Sequence, residues 1–351
     1  MLSHAAFIDL CEQELRLCAV TERETLVVVS QGDERADYAE SFLAAAARLG
    51  ANGFQIRLPE ATLGIGGDVG VWTVGATPLA HNRAAVEALK QADIVVDVMF
   101  LLHSKELVEI QESETRILTC IEPVDILTRL FPTREIAGRV SRAVELLGAA
   151  GTLRLTSGAG TEVTFRLGSY KTFGQYGFAD KPGQWDHWSS SGMAYTYALD
   201  DGVDGTVVVA PGDILLPFKT YVQTPIELTI EAGRIRQIQG GLDAELVREY
   251  MANFDDPDAY GLAHIGWGMN EKAKWTALAT DRRGHGMESR AFYGNVLFST
   301  GPNTQTGGPN NTHCHLDIPM RGCSLFLDDR PVVVDGDIVV DELRPAAPVG
   351  V

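Results

Sequence analysis

The sequence predicts an α/β protein in two parts: a doubly wound parallel-sheet region over residues 1–150, then a strand-rich α+β region over 151–351. Three observations predict this. Apolar runs alternate with amphipathic stretches through the first part, the pattern of strand–helix units that build parallel sheets. From Gly151 onward the texture changes to short strands separated by Gly and Pro turns. A chain of 351 residues is also long enough for two domains, each with its own core.

In the first part, residues 4–19 have helical periodicity, and 25–30 (TLVVVS) read as a buried strand. An alanine-rich helix over 33–49 stops at Gly50, and a second strand follows over 53–58. A helix over 79–92 leads into strand 93–99 (DIVVDVM), a short helix over 104–110 and strand 116–120. A long helix over 133–149 closes this part. Residues 64–70 (GIGGDVG) have the glycines of a nucleotide loop, but no helical pattern follows, so they read as a plain glycine loop.

In the second part, strands are expected over 152–156, 162–167, 206–210, 226–231, 234–239, 292–299, 313–318 and 324–327, with one clear helix over 243–253. Ala232-Gly233 between two alternating runs is a hairpin signal. This part is expected to carry the chemistry. Residues 344–351 form a Pro/Ala tail, either disordered or packed on a neighbouring copy.

Composition narrows the function. A formal net charge of −18 with no Lys/Arg run makes nucleic acid and anionic membrane poor partners. No apolar run approaches the ~18 residues of a spanning helix, and the N-terminal stretch, broken by acids, does not read as a signal peptide. The five cysteines are scattered and form no CxxC, which points to reduced thiols and a cytoplasmic setting.

Chemistry concentrates in Asn311-Thr-His-Cys-His-Leu-Asp-Ile318. Read as a strand, its alternation turns His313, His315 and Asp317 to one face and Cys314, Leu316 and Ile318 to the other. An imidazole and a carboxylate two residues apart can hold a divalent metal. A further histidine would complete the two-histidine, one-carboxylate arrangement typical of non-haem iron(II) oxygenases. The competing reading of an isolated HxHxD is a polar strand face satisfied by hydrogen bonds.

Residues 202–209 (GVDGTVVV), 225–235 (PIELTIEAGRI) and 240–246 (GGLDAEL) resemble the catalytic domain of the M29 (thermophilic leucyl aminopeptidase-like) metallopeptidases, and the HCHLD segment looks like their late His-x-Asp metal motif. That resemblance implies an M29-type fold, with departures at the metal site. Where the peptidases have Gly-Glu-Val-Phe-Thr, this chain has Gly192-Met193-Ala194-Tyr195-Thr196. Where they place a second glutamate, it has Ala263-His264-Ile265-Gly266-Trp267-Gly268. Losing a hard oxygen ligand and gaining an imidazole suits one iron(II) better than a pair of metals. This departure, together with the AHIGWGMN segment and the glycine-rich approach to His313, resembles the 2,5-dihydroxypyridine 5,6-dioxygenases. The resemblance implies Fe(II) held by His264, His315 and Asp317, and cleavage of dihydroxypyridine by O2 between ring positions 5 and 6 to N-formylmaleamic acid. It also implies a homo-oligomer. The alternative reading is a two-metal M29-type aminopeptidase recruiting carboxylates such as Glu227, Glu231, Glu245 and Glu288.

Histidine is the natural proton carrier near neutral pH. His103, just past strand 93–99, and His187, in Gln184-Trp-Asp-His-Trp188, are the candidates, each with a competing structural role. His313 reads as a hydrogen-bonding neighbour of the metal or, less simply, as a ligand in place of His315. Arg290 and Ser299, on or near the strand after His264, are candidates to contact a substrate oxygen. Phe173, Tyr176 and Phe178 suit either an aromatic wall over a flat ring or core packing.

Overall fold

The computed structural model describes residues 2–60, 74–281 and 283–346. The glycine loop at 64–70 and the last residues of the Pro/Ala tail lie outside them. The described chain folds into two compact units. One comprises the chain up to Pro132 together with Tyr176–Ser191; the other comprises Thr133–Gln175 and the chain from Gly192 onward.

The first unit is built on a five-stranded parallel sheet, in the order Asn52–Leu58, Thr25–Gln31, Ile94–Asp97, Arg116–Thr119, Trp185–His187. Its central strands are buried along their length, so they read in the sequence as uninterrupted apolar runs. Two of the helices between them have side-chain caps. Ser104 accepts the Leu107 amide at 3.1 Å, and Asn82 accepts that of Ala85 at 3.2 Å. Asn82 also divides the helix expected over 79–92 into a 3-10 turn, Pro78–His81, and a helix, Arg83–Leu89. A short helix at Val124–Arg129 and the strand Trp185–His187 gave no sequence signal.

The second unit holds two large antiparallel sheets and a two-stranded ribbon, Ile214–Leu215 with Thr220–Tyr221. An eight-stranded sheet runs in the order Arg234–Gly240, Ile226–Glu231, Val203–Val209, Glu162–Arg166, Thr152–Ser157, Cys323–Leu327, Arg330–Val334, Asp337–Ile338. Residues alternate buried and open along Ile226–Glu231, so the expected strands and the hairpin at Ala232-Gly233 are found here. A five-stranded sheet runs Leu316–Met320, Val296–Thr300, Leu262–Gly268, Met193–Tyr197, Phe173–Gln175. The helix Arg134–Gly148, which the sequence groups with the first region, packs on one face of this sheet. There a Cβ at Gly174 would lie 2.4 Å from Val140.

Three expectations change in this sheet. The strands Phe173–Gln175, Met193–Tyr197 and Leu262–Gly268 were not anticipated, because the first is only three residues long and the other two are buried on both faces and carry glycine or tyrosine rather than an alternating pattern. The strand expected over 292–299 begins at Val296, after a short helix Glu288–Ala291. The strand expected over 313–318 begins only at Leu316, so His315 ends a loop rather than sitting in a ladder.

Candidate metal centre

The five-stranded antiparallel sheet brings together residues far apart in sequence. Tyr197 pairs with His264, and Ser299 with Asp317, so these side chains share the face opposite the helix Arg134–Gly148. His264, His315 and Asp317 converge there: each offers a donor atom, and all lie within 4.8 Å of one another. Asp317 Oδ1 is 3.2 Å from His264 Nε2 and 3.3 Å from His315 Nε2. All three residues are buried.

The donor set fits a divalent ion. Asp317 Oδ1 is buried and makes no hydrogen bond of acceptable geometry, despite two imidazole nitrogens in range. Ions bound at about 2.1 Å place neighbouring ligand atoms ~3 Å apart in an octahedron, close to these spacings. Among the described residues Asp317 is the one carboxylate in the cluster. Glu227, Glu231 and Glu245 are exposed, and Glu288 is buried but accepts the Lys274 amide at 2.6 Å. The two-metal alternative therefore finds no further carboxylate in this cluster.

Electrostatics favour ligand-competent forms. Burial outweighs the pull of Asp317 and lowers His264 to about 4, leaving its imidazole neutral. Burial pushes Asp317 upward, but the neighbouring His315, Arg290 and His264 together override it and hold the carboxyl well below its usual range. Arg290, itself buried, sits with Nε 3.4 Å from Asp317 Oδ2. It comes from the short helix Glu288–Ala291, just ahead of the strand Val296–Thr300 that the sequence reading placed it on or near.

Hydroxyls fix the backbone of both histidines. Ser299 donates to the His264 carbonyl at 2.7 Å, and Tyr250 to the His315 carbonyl at 3.2 Å. The glycine-rich approach is folded by its own asparagines. Asn303 accepts the Asn310 amide at 2.8 Å, and Asn310 donates to the Gly301 carbonyl at 2.7 Å. Gly301, at φ +132°, has to be glycine, since a Cβ there would lie 2.6 Å from His315 Nδ1. His313 is exposed and stands outside the trio.

Aromatic rings surround His264. Tyr195 and Tyr197 lie 5.4 and 5.9 Å away, and Phe173 stacks on Tyr195 at 5.3 Å and 20°. Gln305 donates to the Tyr197 hydroxyl. Met193, where the resemblance expected a lost carboxylate, is fully buried in this apolar cluster. Of the aromatic rings here, the sequence reading singled out only Phe173. The signal that could have found Tyr195 and Tyr197 was their spacing with Met193 on one strand face.

The other candidates belong to the first unit. His103 follows strand Ile94–Asp97 in a left-handed conformation, φ +61°, as does Phe100 at +70°. The buried Asp97 carboxylate shapes this turn by accepting the amides of Met99, Phe100 and Leu101 at 2.8–3.0 Å. His187 ends the strand Trp185–His187, is buried, and has Nδ1 3.2 Å from the Ser189 hydroxyl. Its ring meets that of Phe100 edge-on at 6.5 Å, so both histidines lie beyond the carboxyl edge of the parallel sheet. Tyr176 and Phe178 pack together at 4.7 Å; Phe178 is fully buried, and the Tyr176 hydroxyl donates to Asp180 at 2.9 Å.

Comparison with known proteins gives the family and the fold. The family model described as 2,5-dihydroxypyridine 5,6-dioxygenase matches residues 6–340. A protein of that name from Pseudomonas putida KT2440 is 44% identical over 345 residues, covering 97% of this chain and 98% of its own. The solved structure of 2,5-dihydroxypyridine dioxygenase from Pseudomonas putida KT2440 superposes with a TM-score of 0.93 at 42% identity. It covers 98% of this chain and all of that one. AmpT from Thermus thermophilus shares the fold, with a TM-score of 0.68 at 13% identity over 95% of this chain and 99% of its own. With a family model spanning nearly its whole length and a relative this similar, the chain belongs to the 2,5-dihydroxypyridine 5,6-dioxygenase family.

Proposed function

We propose that this chain cleaves the ring of 2,5-dihydroxypyridine with dioxygen, adding both oxygen atoms across the bond between positions 5 and 6 to give N-formylmaleamic acid. Family membership supports the reaction. The observation that carries the site is the buried convergence of His264, His315 and Asp317 beside an aromatic wall. We assign to these three residues a single ferrous ion. When bound, it would supply the one-electron chemistry that lets triplet dioxygen react with a closed-shell ring.

The protein's own groups prepare the site for that chemistry. Neutral His264 and ionised Asp317 present lone pairs without first shedding protons. Arg290 leaves Asp317 with a counter-charge whether or not a cation is present. Phe173, Tyr195 and Tyr197 offer flat apolar surface to an aromatic guest and keep water from the trio. His103 and His187 are our candidates for accepting and returning ring protons. The pH profile of a His103→Ala or His187→Ala variant tests each, and loss of one limb identifies the carrier. Five buried free thiols suit a reducing cytoplasm. No helix among the described residues is long and apolar enough to cross a membrane. Self-association, which the resemblance implies, is tested by light scattering.

The decisive assay uses protein prepared anaerobically and loaded with iron(II). One O2 should be consumed per 2,5-dihydroxypyridine, with loss of the substrate's near-ultraviolet band. Release of amino acids from peptides without oxygen uptake would overturn the reading in favour of the aminopeptidase.

A further inference from the structure

Gln175 ends the strand Phe173–Gln175 at the edge of the five-stranded antiparallel sheet. Phe173 and Gln175, two residues apart, face the same way, opposite Tyr195 and Met193 on the neighbouring strand. Gly174, between them, faces the helix Arg134–Gly148. Gln175 is therefore on the side of the sheet that carries Tyr195, Tyr197, His264 and Asp317.

Its side chain is 1% exposed, and neither Nε2 nor Oε1 has a hydrogen-bond partner among the described residues. A buried amide with both ends unsatisfied carries an unfavourable desolvation term, and native structures keep few such groups without a use. The group presents a donor and an acceptor side by side in one plane. The matching ligand edge is an N–H beside a C=O, which a 2-hydroxypyridine acquires in its pyridone form. Catechols and hydroquinones lack such an edge.

We propose that Gln175 recognises the N–H/C=O edge of the ring through a pair of hydrogen bonds, fixing which end of the substrate faces the trio. This rests on the ring-cleavage reading above and names the determinant of specificity for a nitrogen heterocycle over a carbocycle. Gln175 sits opposite Met193, and Met193 is four residues along its strand from Tyr197, the partner of His264. At about 3.4 Å per residue the two rows are ~14 Å apart, with the Phe173–Tyr195 row between them, so a flat ring lying over Tyr195 would have one polar end towards Gln175 and the other towards the trio. Anchoring positions 1 and 2 leaves the 5-hydroxyl at the far end.

The test is Gln175→Met, which keeps the length and removes both polar atoms. Anaerobic binding is measured with 2,5-dihydroxypyridine and with 1,4-dihydroxybenzene, alongside steady-state kinetics and thermal unfolding without ligand. The wild-type chain should prefer the pyridine by about tenfold or more, and the variant should bind both rings within ~3-fold of each other. KM for the pyridine should rise about tenfold or more with a much smaller change in kcat, and affinity for 1,4-dihydroxybenzene should hold. The unliganded variant should unfold no earlier than wild type, because an unpaired buried amide has been removed. An unchanged preference in an active variant would overturn the assignment while leaving the ring-cleavage reading intact. Equal loss of both ligands with a lower unfolding temperature would overturn it as well, marking Gln175 as structural. A wild-type chain inert towards the pyridine would sink both.

Discussion

At the scale of single residues, Asp317 carries the most weight, because three positive or potentially positive groups face one buried carboxylate. His264→Ala removes one donor, and the metal content of purified protein should fall to near zero with little effect on unfolding. Asp317→Ala should lose metal and also lower stability by about 3 kcal/mol, since it leaves the Arg290 guanidinium buried without its counter-charge. Elemental analysis and thermal unfolding of the two variants check the pair; equal stability loss in both would contradict this account of Arg290. Tyr250→Phe keeps the ring but frees the His315 carbonyl, and metal affinity should drop about tenfold, the effect expected of an outer support. A competition titration with a chelator measures it. The sequence made His315 and Asp317 legible because they lie two residues apart, and His264 because of its resemblance-bearing segment. Tyr250, Tyr195 and Gln175 were not legible. Tyr250 and Tyr195 meet the histidines only once the chain is folded, and the Gln175 amide is left unpaired only there; nothing local marks a hydroxyl or amide for such a place.

At the scale of elements, alternation misled in the HCHLD segment. Thr312 and Cys314 are buried while Asn311 and His313 are open, which imitates a strand, yet ladder pairing starts only at Leu316. Those residues are instead fixed by the asparagine-bound loop, whose hydrogen bonds run to Gly301 and to the carbonyl of Asp258. The parallel strands were easier to read, since burial on both faces writes an unbroken apolar run. The same double burial hid Met193–Tyr197 and Leu262–Gly268, where tyrosine, histidine and glycine interrupt any run. The loop–strand junction gives the prediction proper to this scale. Gly301→Ala puts a methyl 2.6 Å from His315 Nδ1, on backbone at φ +132°. The imidazole has to move, so retained metal should fall at least tenfold, and the fold should lose about 1–3 kcal/mol to backbone strain. Chelator competition and denaturant unfolding read the two effects separately. Normal metal retention would mean that the loop yields rather than the histidine.

At the scale of the whole chain, the alternating first part was legible as a parallel sheet. The return of Tyr176–Ser191 to that unit was not, because a three-residue strand carries too little pattern. That return sets Asp186 against the first helix. Glu14, on the helix His4–Leu17, is fully buried, and neither carboxyl oxygen has a hydrogen-bond partner among the described residues. Burial, then the charge of Asp186, pushes Glu14 well above its usual range. Asp186 is raised to about 7 by burial, against the amides of Tyr176, Gly177 and His187 that it accepts. A carboxyl raised in the folded state contributes stability that is complete below its unfolded pKa and is lost as pH climbs to the folded value. For Asp186 that loss runs from about 4 to about 7. For Glu14 it begins near 4.5 and continues beyond, at up to about 1.4 kcal/mol per pH unit. Glu14→Gln removes the second contribution alone. Its unfolding temperature should converge with wild type near pH 4 and exceed it by a margin that widens as pH rises above about 5. Two curves running parallel across that range would show that Glu14 ionises in the fold as readily as in water, and the buried-acid account of this unit would be wrong.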